Sequence, residues 1–381
     1  MESRGTIQAR IDALENNDNW AVGAAELILR TGTDSHCSDV HVVCSPHGAL
    51  VRGRLHGTLF VLARIPAQWQ DMLIARFKVL AQLSAYVRQA PQDGRIAWEN
   101  ALLRVSFLPT IHGESLVIRY PREDSASLEL ECLGMPAEVL SGMDHLLARQ
   151  EGLILLTGPT SSGKTTTLYA MMRRLHECHG DRLNFLTIED PVERELGFAS
   201  QVQVNEAQGV DFEKTLRAAL RHDPNVLLIG EIRDRETALI AAQAGMSGGI
   251  VLSTMHAGRA TRIPVRLLSM GLPPYLVASA LSGMVAQRLA RLACNDCSGK
   301  GCNQCGGTGV IGRVGLFELI IVDEPMRDLI LQGVTPGKLE AHAVRLQVCD
   351  LAEQARQLAS LGRITRKEAE IVLAIEEREM D

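Results

Sequence analysis

The chain has 381 residues, 46% of them hydrophobic and 22% charged, with aromatics at only 4%; this is ordinary globular composition, long enough for two or three domains with separate cores. A formal net charge of -6 argues against a surface that generally coats nucleic acid, while leaving room for a local basic channel. No apolar run reaches the length of a membrane span and the opening Met1-Glu2-Ser3-Arg4-Gly5 lacks a signal peptide's apolar core, so a cytoplasmic protein is expected.

Residues 1–30 read as a polar, then helical leader, with the helix over 20–30 and Val22, Leu27 and Ile28 on its apolar face. From Ser38 the pattern is strand-like. Asp39-Val40-His41-Val42 alternates, and 49–62 holds two apolar runs joined through His56-Gly57-Thr58. Pro66 then opens a helix with Trp69, Leu73, Phe77 and Leu80 at helical spacing. Two more strands are expected near 103–107 and 115–120. The arginines Arg52, Arg54, Arg104 and Arg119 lie in or beside these strands, where a solvated sheet residue is the ordinary role. Pro121-Arg122-Glu123-Asp124-Ser125 reads as a linker.

The stretch 153–168 organises the remainder. Four apolar residues, Leu153 to Leu156, fit a buried parallel strand. Gly158-Pro159-Thr160-Ser161-Ser162-Gly163-Lys164-Thr165 then matches G-x-x-x-x-G-K-[ST], with Thr166 beside it as a further nucleotide-binding candidate, and a helix-permissive run, Thr167 to Leu175, follows. In such a loop the backbone N–H groups curl round phosphates and the helix N-terminus favours their negative charge. Lys164 is placed to reach the β/γ-phosphates and Thr165 to ligate Mg²⁺. A chance glycine-rich turn is the competing reading, and the strand before with the helix after disfavours it.

Further strands end in groups that can do chemistry. The run 183–188 leads into Glu189-Asp190-Pro191-Val192-Glu193, acids placed where an open α/β sheet binds its ligands. Val226-Leu227-Leu228-Ile229-Gly230-Glu231 is a buried strand ending in a carboxylate, suited to orient the water that attacks the γ-phosphate. The strand 250–254 ends at Met255-His256, a candidate sensor of that phosphate. No Asn-Lys-x-Asp or His-Arg-Asp run is present, so a guanine-selective or protein-kinase site is not indicated. ATP hydrolysis on a RecA-like P-loop domain is the expectation.

Nine cysteines include Cys294-x2-Cys297-x4-Cys302-x2-Cys305, two C-x-x-C pairs on glycine-rich knuckles. Such pairs close a tetrahedron round Zn²⁺ at Zn–S distances of about 2.3 Å, whereas redox pairs need a thioredoxin-like context that is missing here. Beyond Gly312 a strand through 317–320 precedes helices, the last opened by the capping box Thr365-Arg366-Lys367-Glu368.

Taken together these motifs resemble the type II secretion and type IV pilus-assembly ATPase family. The likeness runs from Ser38-Asp39-Val40-His41 through Pro91-Gln92-Asp93-Gly94-Arg95, Leu108-Pro109-Thr110 and Gly113-Glu114-Ser115. It continues through the P-loop, the acidic box Thr187-Ile188-Glu189-Asp190-Pro191-Val192-Glu193, Gly230-Glu231-Ile232-Arg233-Asp234 and Gln287-Arg288-Leu289. The resemblance implies an α/β chain: a PAS-like α+β domain at 31–122, a linker at 123–132, and a RecA-like motor domain at 133–381. That motor domain would contain the zinc element at 294–309 and C-terminal helices at 324–381. It further implies a homo-hexamer that docks on an integral platform protein at the inner face of the cytoplasmic membrane and associates with that membrane only through partners.

By the same resemblance Arg104 and Arg119 match arginines that reach the nucleotide phosphates, and Arg217, Arg221 and Arg233 match subunit-interface positions. The tetracysteine element favours assembly or export over retraction, and no extra N-terminal docking domain is expected. The chain departs from the family's usual residues at His56, Asn225, Gly249 and Ala257-Gly258-Arg259. Those departures keep a nucleotide-gated structural subunit with little turnover in view. A nucleic-acid translocase is the other rival, disfavoured by the acidic balance and the lack of an aromatic-plus-basic strip.

Overall fold

Alternation in the first third of the sequence becomes one antiparallel sheet. The computed structural model describes all residues except 1–3, 15–18, 56, 100, 121–127, 206–209, 303, 306, 334, 347 and 381, and leaves aside the side chains of 4–6 and 375–380. His56 and the proposed linker up to 127 therefore lie outside the described residues. Two units make up the chain: Met1–Ser125 with Arg291–Gly312, and Ala126–Ala290 with Arg313–Asp381.

In the first unit the strands are β1 (Asp39–Ser45), β2 (Gly48–Leu55), β3 (Thr58–Ile65), β4 (Gln92–Trp98), β5 (Ala101–Thr110) and β6 (Gly113–Arg119), in the spatial order β3-β2-β1-β6-β5-β4. One face carries Val40, Val42, Val51, Phe107, Leu116 and Ile118, all buried. Helices α1 (Arg4–Asp12), α2 (Trp20–Asp34) and α3 (Ala67–Leu80) contribute to the same core. The sequence reading sets 1–30 apart as a leader; instead Ile7, Ile11, Trp20, Ile28 and Leu29 are core residues. Trp20 stacks on Trp69 at 5.0 Å between ring centroids, which fixes the rotation of α2. Ala24, Ala25, Ile28 and Leu29 therefore turn inward and Val22 is 40% exposed.

The tetracysteine segment is assigned here to the motor domain by sequence, yet Arg291–Gly312 groups with the first unit. A physical reason is visible in Arg291, whose Nη1 donates to Thr58 Oγ1 at 3.0 Å.

The second unit is built on strands β7 (Gly152–Thr157), β8 (Phe185–Glu189), β9 (Ser200–Gln203), β10 (Val226–Ile229) and β11 (Ile250–Met255), with β12 (Leu281–Ala293) up to Ala290 and β13 (Val310–Ile321) from Arg313, ordered β13-β12-β7-β11-β10-β8-β9. Pairing is parallel between β7 and β11, β11 and β10, β10 and β8, and β8 and β9, and also between β12 and β7. Every residue of β7, β8, β10 and β11 is buried, as a parallel sheet covered on both faces requires. Helix α4 (Ala137–Leu147) precedes β7 in sequence, and α5 (Lys164–His179), α6 (Phe212–Ala219), α7 (Arg235–Gly245), α8 (Arg262–Ser269) and α9 (Pro274–Ala280) lie between the strands.

After β13 come α10 (Glu324–Leu331), α11 (Pro336–Arg345), α12 (Leu351–Ser360) and α13 (Arg366–Met380). Gln354 accepts from the Phe317 N–H at 3.0 Å and donates to its carbonyl at 2.6 Å, satisfying backbone groups of the edge strand β13. Glu368 N donates to Thr365 Oγ1 at 3.1 Å, as the capping box expects.

Candidate functional site

Parallel strands in register bring their C-terminal ends to one edge, and the turns that leave them share that edge. Thr157 of β7 is level with Met255 of β11, and Ile229 of β10 with Ile188 of β8. The P-loop therefore leaves β7 at the same edge as Glu189, which closes β8, Glu231, two residues beyond β10, and His256, which follows β11.

The loop itself requires glycine. Gly158 has φ +153°, and a Cβ there would stand 2.3 Å from the Gln287 carbonyl oxygen. Gly163 has φ +90° and would press a Cβ to 2.9 Å from Gln287 Nε2. Gln287 thus backs the loop, and its Oε1 also accepts from Thr167 Oγ1 at 2.9 Å inside α5. The motif spacing does not reveal this brace from β12. Pro159, Thr160 and Ser161 are exposed at the turn, Ser162 is buried, and Thr165 and Thr166 are half-buried in the first turn of α5. Lys164 folds back on the loop, donating to the carbonyls of Gly158 at 2.7 Å and Pro159 at 2.9 Å. Burial pushes the Lys164 ammonium below its ordinary value; the Glu231 carboxylate opposes that shift and the Arg288 guanidinium adds to it.

The two glutamates differ in setting. Glu231 has its Oε1 at 3.2 Å from His256 Nε2 and its Oε2 at 3.1 Å from Arg233 Nε, with a side chain one-quarter exposed. Arg233, read from the resemblance as an interface residue, is thus a partner of Glu231 within the chain. Glu189 is buried and accepts from Thr187 Oγ1 at 2.7 Å, Gln201 Nε2 at 3.1 Å and the Tyr169 hydroxyl. Arg217 pairs with Glu213 and Glu236, and Arg221 donates to the Arg217 carbonyl.

Among the described residues the family departures fall in two places. Asn225 and Gly249 immediately precede β10 and β11, at the N-terminal edge of the sheet. There Asn225 Oδ1 accepts from Asn184 N at 2.8 Å, and the Gly249 carbonyl accepts from Gly152 N at 3.2 Å. From Asn225 to Glu231 the chain advances six residues, roughly 20 Å at strand rise. Ala257 does lie at the nucleotide edge, but its contact is made by its backbone N–H, which donates to Thr157 Oγ1 at 2.9 Å. Any residue other than proline supplies that donor.

Arg104 and Arg119 belong to the first unit. They stand directly opposite each other on β5 and β6, with Arg95 opposite Arg104 on β4 and Asp39 opposite both Arg119 and Arg54. One row on one face thus runs Arg54, Asp39, Arg119, Arg104, Arg95. Arg119 Nε lies 3.0 Å from Asp39 Oδ1 and Arg54 Nε 3.8 Å from Asp39 Oδ2.

The four cysteine sulfurs Cys294, Cys297, Cys302 and Cys305 lie within 4.8 Å of one another. Three of the separations are 3.8, 3.9 and 3.8 Å, against about 3.8 Å for the edge of a tetrahedron with 2.3 Å metal–sulfur bonds. Backbone N–H groups of Gly301, Cys302 and Gly309 point at Cys297 or Cys305 sulfur at 3.1 to 3.2 Å. Burial raises the Cys305 thiol, but the Cys302 and Gly309 N–H groups and the neighbouring Cys302 and Cys297 thiols outweigh it and bring it to about 6. The donor set fits Zn²⁺.

Among known proteins, a family model described as type II/IV secretion system protein matches residues 17–371. Type II secretion system protein HxcR of Pseudomonas aeruginosa is 39% identical over 370 residues, which cover 94% of this chain and 78% of that one. Type II secretion system ATPase E of Vibrio cholerae is 36% identical over 361 residues, 87% of this chain and 71% of that one. The crystal structure of the pilus retraction motor PilT with bound ADP superposes with a TM-score of 0.65 at 25% identity, covering 91% of this chain and 95% of PilT. With most of its length matched, the chain belongs to the type II/IV secretion system protein family.

Proposed function

We propose that this protein hydrolyses ATP in a homo-hexameric ring and uses the energy to power pilin or pseudopilin assembly for type IV pili or type II secretion. The observation that carries the reading is the meeting of the P-loop, Glu189, Glu231 and His256 at one edge of a parallel sheet. Similarity to proteins named for type II secretion, one of them as an ATPase, supports the direction of work.

In this reading the backbone N–H groups of Gly158 and of 160–163 and the start of α5 receive the phosphates, and Lys164 exchanges its two carbonyl partners for β/γ-phosphate oxygens. Mg²⁺, held through Thr165, would neutralise charge on those phosphates. Glu231 orients and polarises the attacking water, and its pairing with His256 offers a route by which loss of the γ-phosphate is felt beyond the loop. Arg104 and Arg119 are the arginines offered to the phosphate charge. Like charges directly opposite across strands are unfavourable in themselves, so the row Arg119, Arg104, Arg95 favours a polyanionic ligand. The four cysteines hold Zn²⁺ as a structural element.

No helix among the described residues is long and apolar enough to cross a membrane; the proposal places the ring in the cytoplasm against an inner-membrane platform protein, with no nucleic-acid partner. The likeness to PilT keeps a retraction motor as second reading. Replacing the chromosomal copy by the Lys164→Ala variant separates the two. Loss of surface filaments or of secreted proteins supports assembly, an excess of filaments supports retraction, and an unchanged phenotype counts against both.

A further inference from the structure

Of the neighbours that hold Glu189, only Thr187 shares its sequence motif; the other two come from separate elements. Its carboxylate is buried and takes hydrogen bonds from three neutral donors: Thr187 Oγ1 on the same strand, Gln201 Nε2 on β9, and the Tyr169 hydroxyl on α5. Tyr169 stands four residues after Thr165, so the two share one face of α5, one turn apart. The helix that begins with Lys164 and Thr165 thus reaches the acidic strand end directly.

The same phenol also accepts from the Glu193 N–H at 3.3 Å. Gln201 behaves in parallel: it donates to the Arg194 carbonyl at 3.0 Å and accepts from the Leu196 N–H at 2.5 Å. Tyr169 and Gln201 therefore each hold both the Glu189 carboxylate and the segment that follows it. Burial, then the bond to Glu189, push the Tyr169 phenol well above its ordinary value, so it remains protonated and acts as the donor. A hydroxyl donating to a carboxylate is among the stronger hydrogen bonds available in a protein.

We infer that Tyr169 is a positioning residue for ATP hydrolysis: its hydroxyl fixes the Glu189 carboxylate and the 190–196 segment relative to the P-loop helix. The inference rests on the reading that Glu189 serves the nucleotide site. Tyr169 does not touch the nucleotide in this account; it acts through Glu189.

The test uses the full chain with the parent, Tyr169→Phe, Glu189→Gln and the double variant. Phenylalanine keeps the buried ring and removes only the hydroxyl. Steady-state ATP hydrolysis is measured with affinity for a non-hydrolysable ATP analogue. The expected result is a kcat lowered about tenfold or more by Tyr169→Phe, analogue affinity within about twofold of the parent, and no further loss when Tyr169→Phe is added to Glu189→Gln. Losses that multiply in the double variant would overturn the inference, because the two residues would then act independently. So would an analogue affinity that falls together with kcat, the mark of a damaged P-loop helix. A normal Tyr169→Phe beside an impaired Glu189→Gln overturns the role of Tyr169 alone. A Glu189→Gln variant that hydrolyses like the parent removes Glu189 from the site, and this inference with it.

Discussion

Arg119 donates from Nε to Asp39 Oδ1 at 3.0 Å across β6 and β1, and on its other side it faces Arg104 in register on β5. One carboxylate therefore serves Arg119 and Arg54, while Arg104 and Arg95 face only further arginines within the row. Arg104→Ala or Arg119→Ala in the full chain is expected to lower kcat for ATP hydrolysis by about 10³-fold, the range of an arginine that neutralises transferring phosphate. Steady-state turnover measures this, and variants that hydrolyse at the parent rate would make these arginines ordinary surface charges.

Zinc content gives a second prediction. One Zn²⁺ per chain is expected by elemental analysis, and Cys302→Ser should lose it, because three sulfurs leave the tetrahedron open. Structural zinc contributes roughly 10 to 16 kcal/mol of apparent binding energy, more than the short segment around Cys294 and Cys305 can draw from packing. Metal-free protein with four freely reactive thiols would contradict the site.

A third concerns a buried ion pair. Lys78 and Glu114 meet at 2.5 Å, the lysine fully buried and the glutamate nearly so, and Lys78 Nζ also donates to the Val87 carbonyl. Lys78→Met strands a buried carboxylate and is expected to cost about 3 to 5 kcal/mol, while Lys78→Met with Glu114→Leu should recover much of that loss. Denaturant unfolding decides it; single and double variants of equal stability would refute the pairing energetics.

Asn225 supplies a fourth, in the opposite direction. Its side-chain oxygen accepts from Asn184 N at the strand edge remote from the P-loop, and aspartate can accept the same bond. Asn225→Asp is therefore expected to leave kcat within about twofold. A large rise in turnover would show that this departure from the family pattern does limit the reaction.

The P-loop, the carboxylate after β10, the histidine after β11 and the tetracysteine spacing were all legible, because each is a local pattern whose chemistry demands fixed offsets. Strand β12 was not. Leu281-Ser282-Gly283-Met284-Val285-Ala286-Gln287-Arg288-Leu289-Ala290-Arg291-Leu292-Ala293 is rich in helix formers, and pairing with β7 overrides that preference. On α2 the expected apolar face holds at Ile28 and, half-buried, at Leu27, and fails only at Val22, which lies off the stripe of Trp20, Ala24, Ala25, Ile28 and Leu29. The donors around Glu189 are not written in any one local pattern. Tyr169 and Gln201 come from separate elements and converge only through the order of the sheet.

ATP turnover by the full chain with Mg²⁺, measured beside Glu231→Gln and Lys164→Ala, tests the central claim most directly. The account predicts hydrolysis by the parent, a loss of at least about tenfold (about 1.4 kcal/mol) in Glu231→Gln with nucleotide binding retained, and weakened nucleotide binding in Lys164→Ala. A parent that binds ATP without hydrolysing it, or a Glu231→Gln variant that turns over at the parent rate, would contradict it.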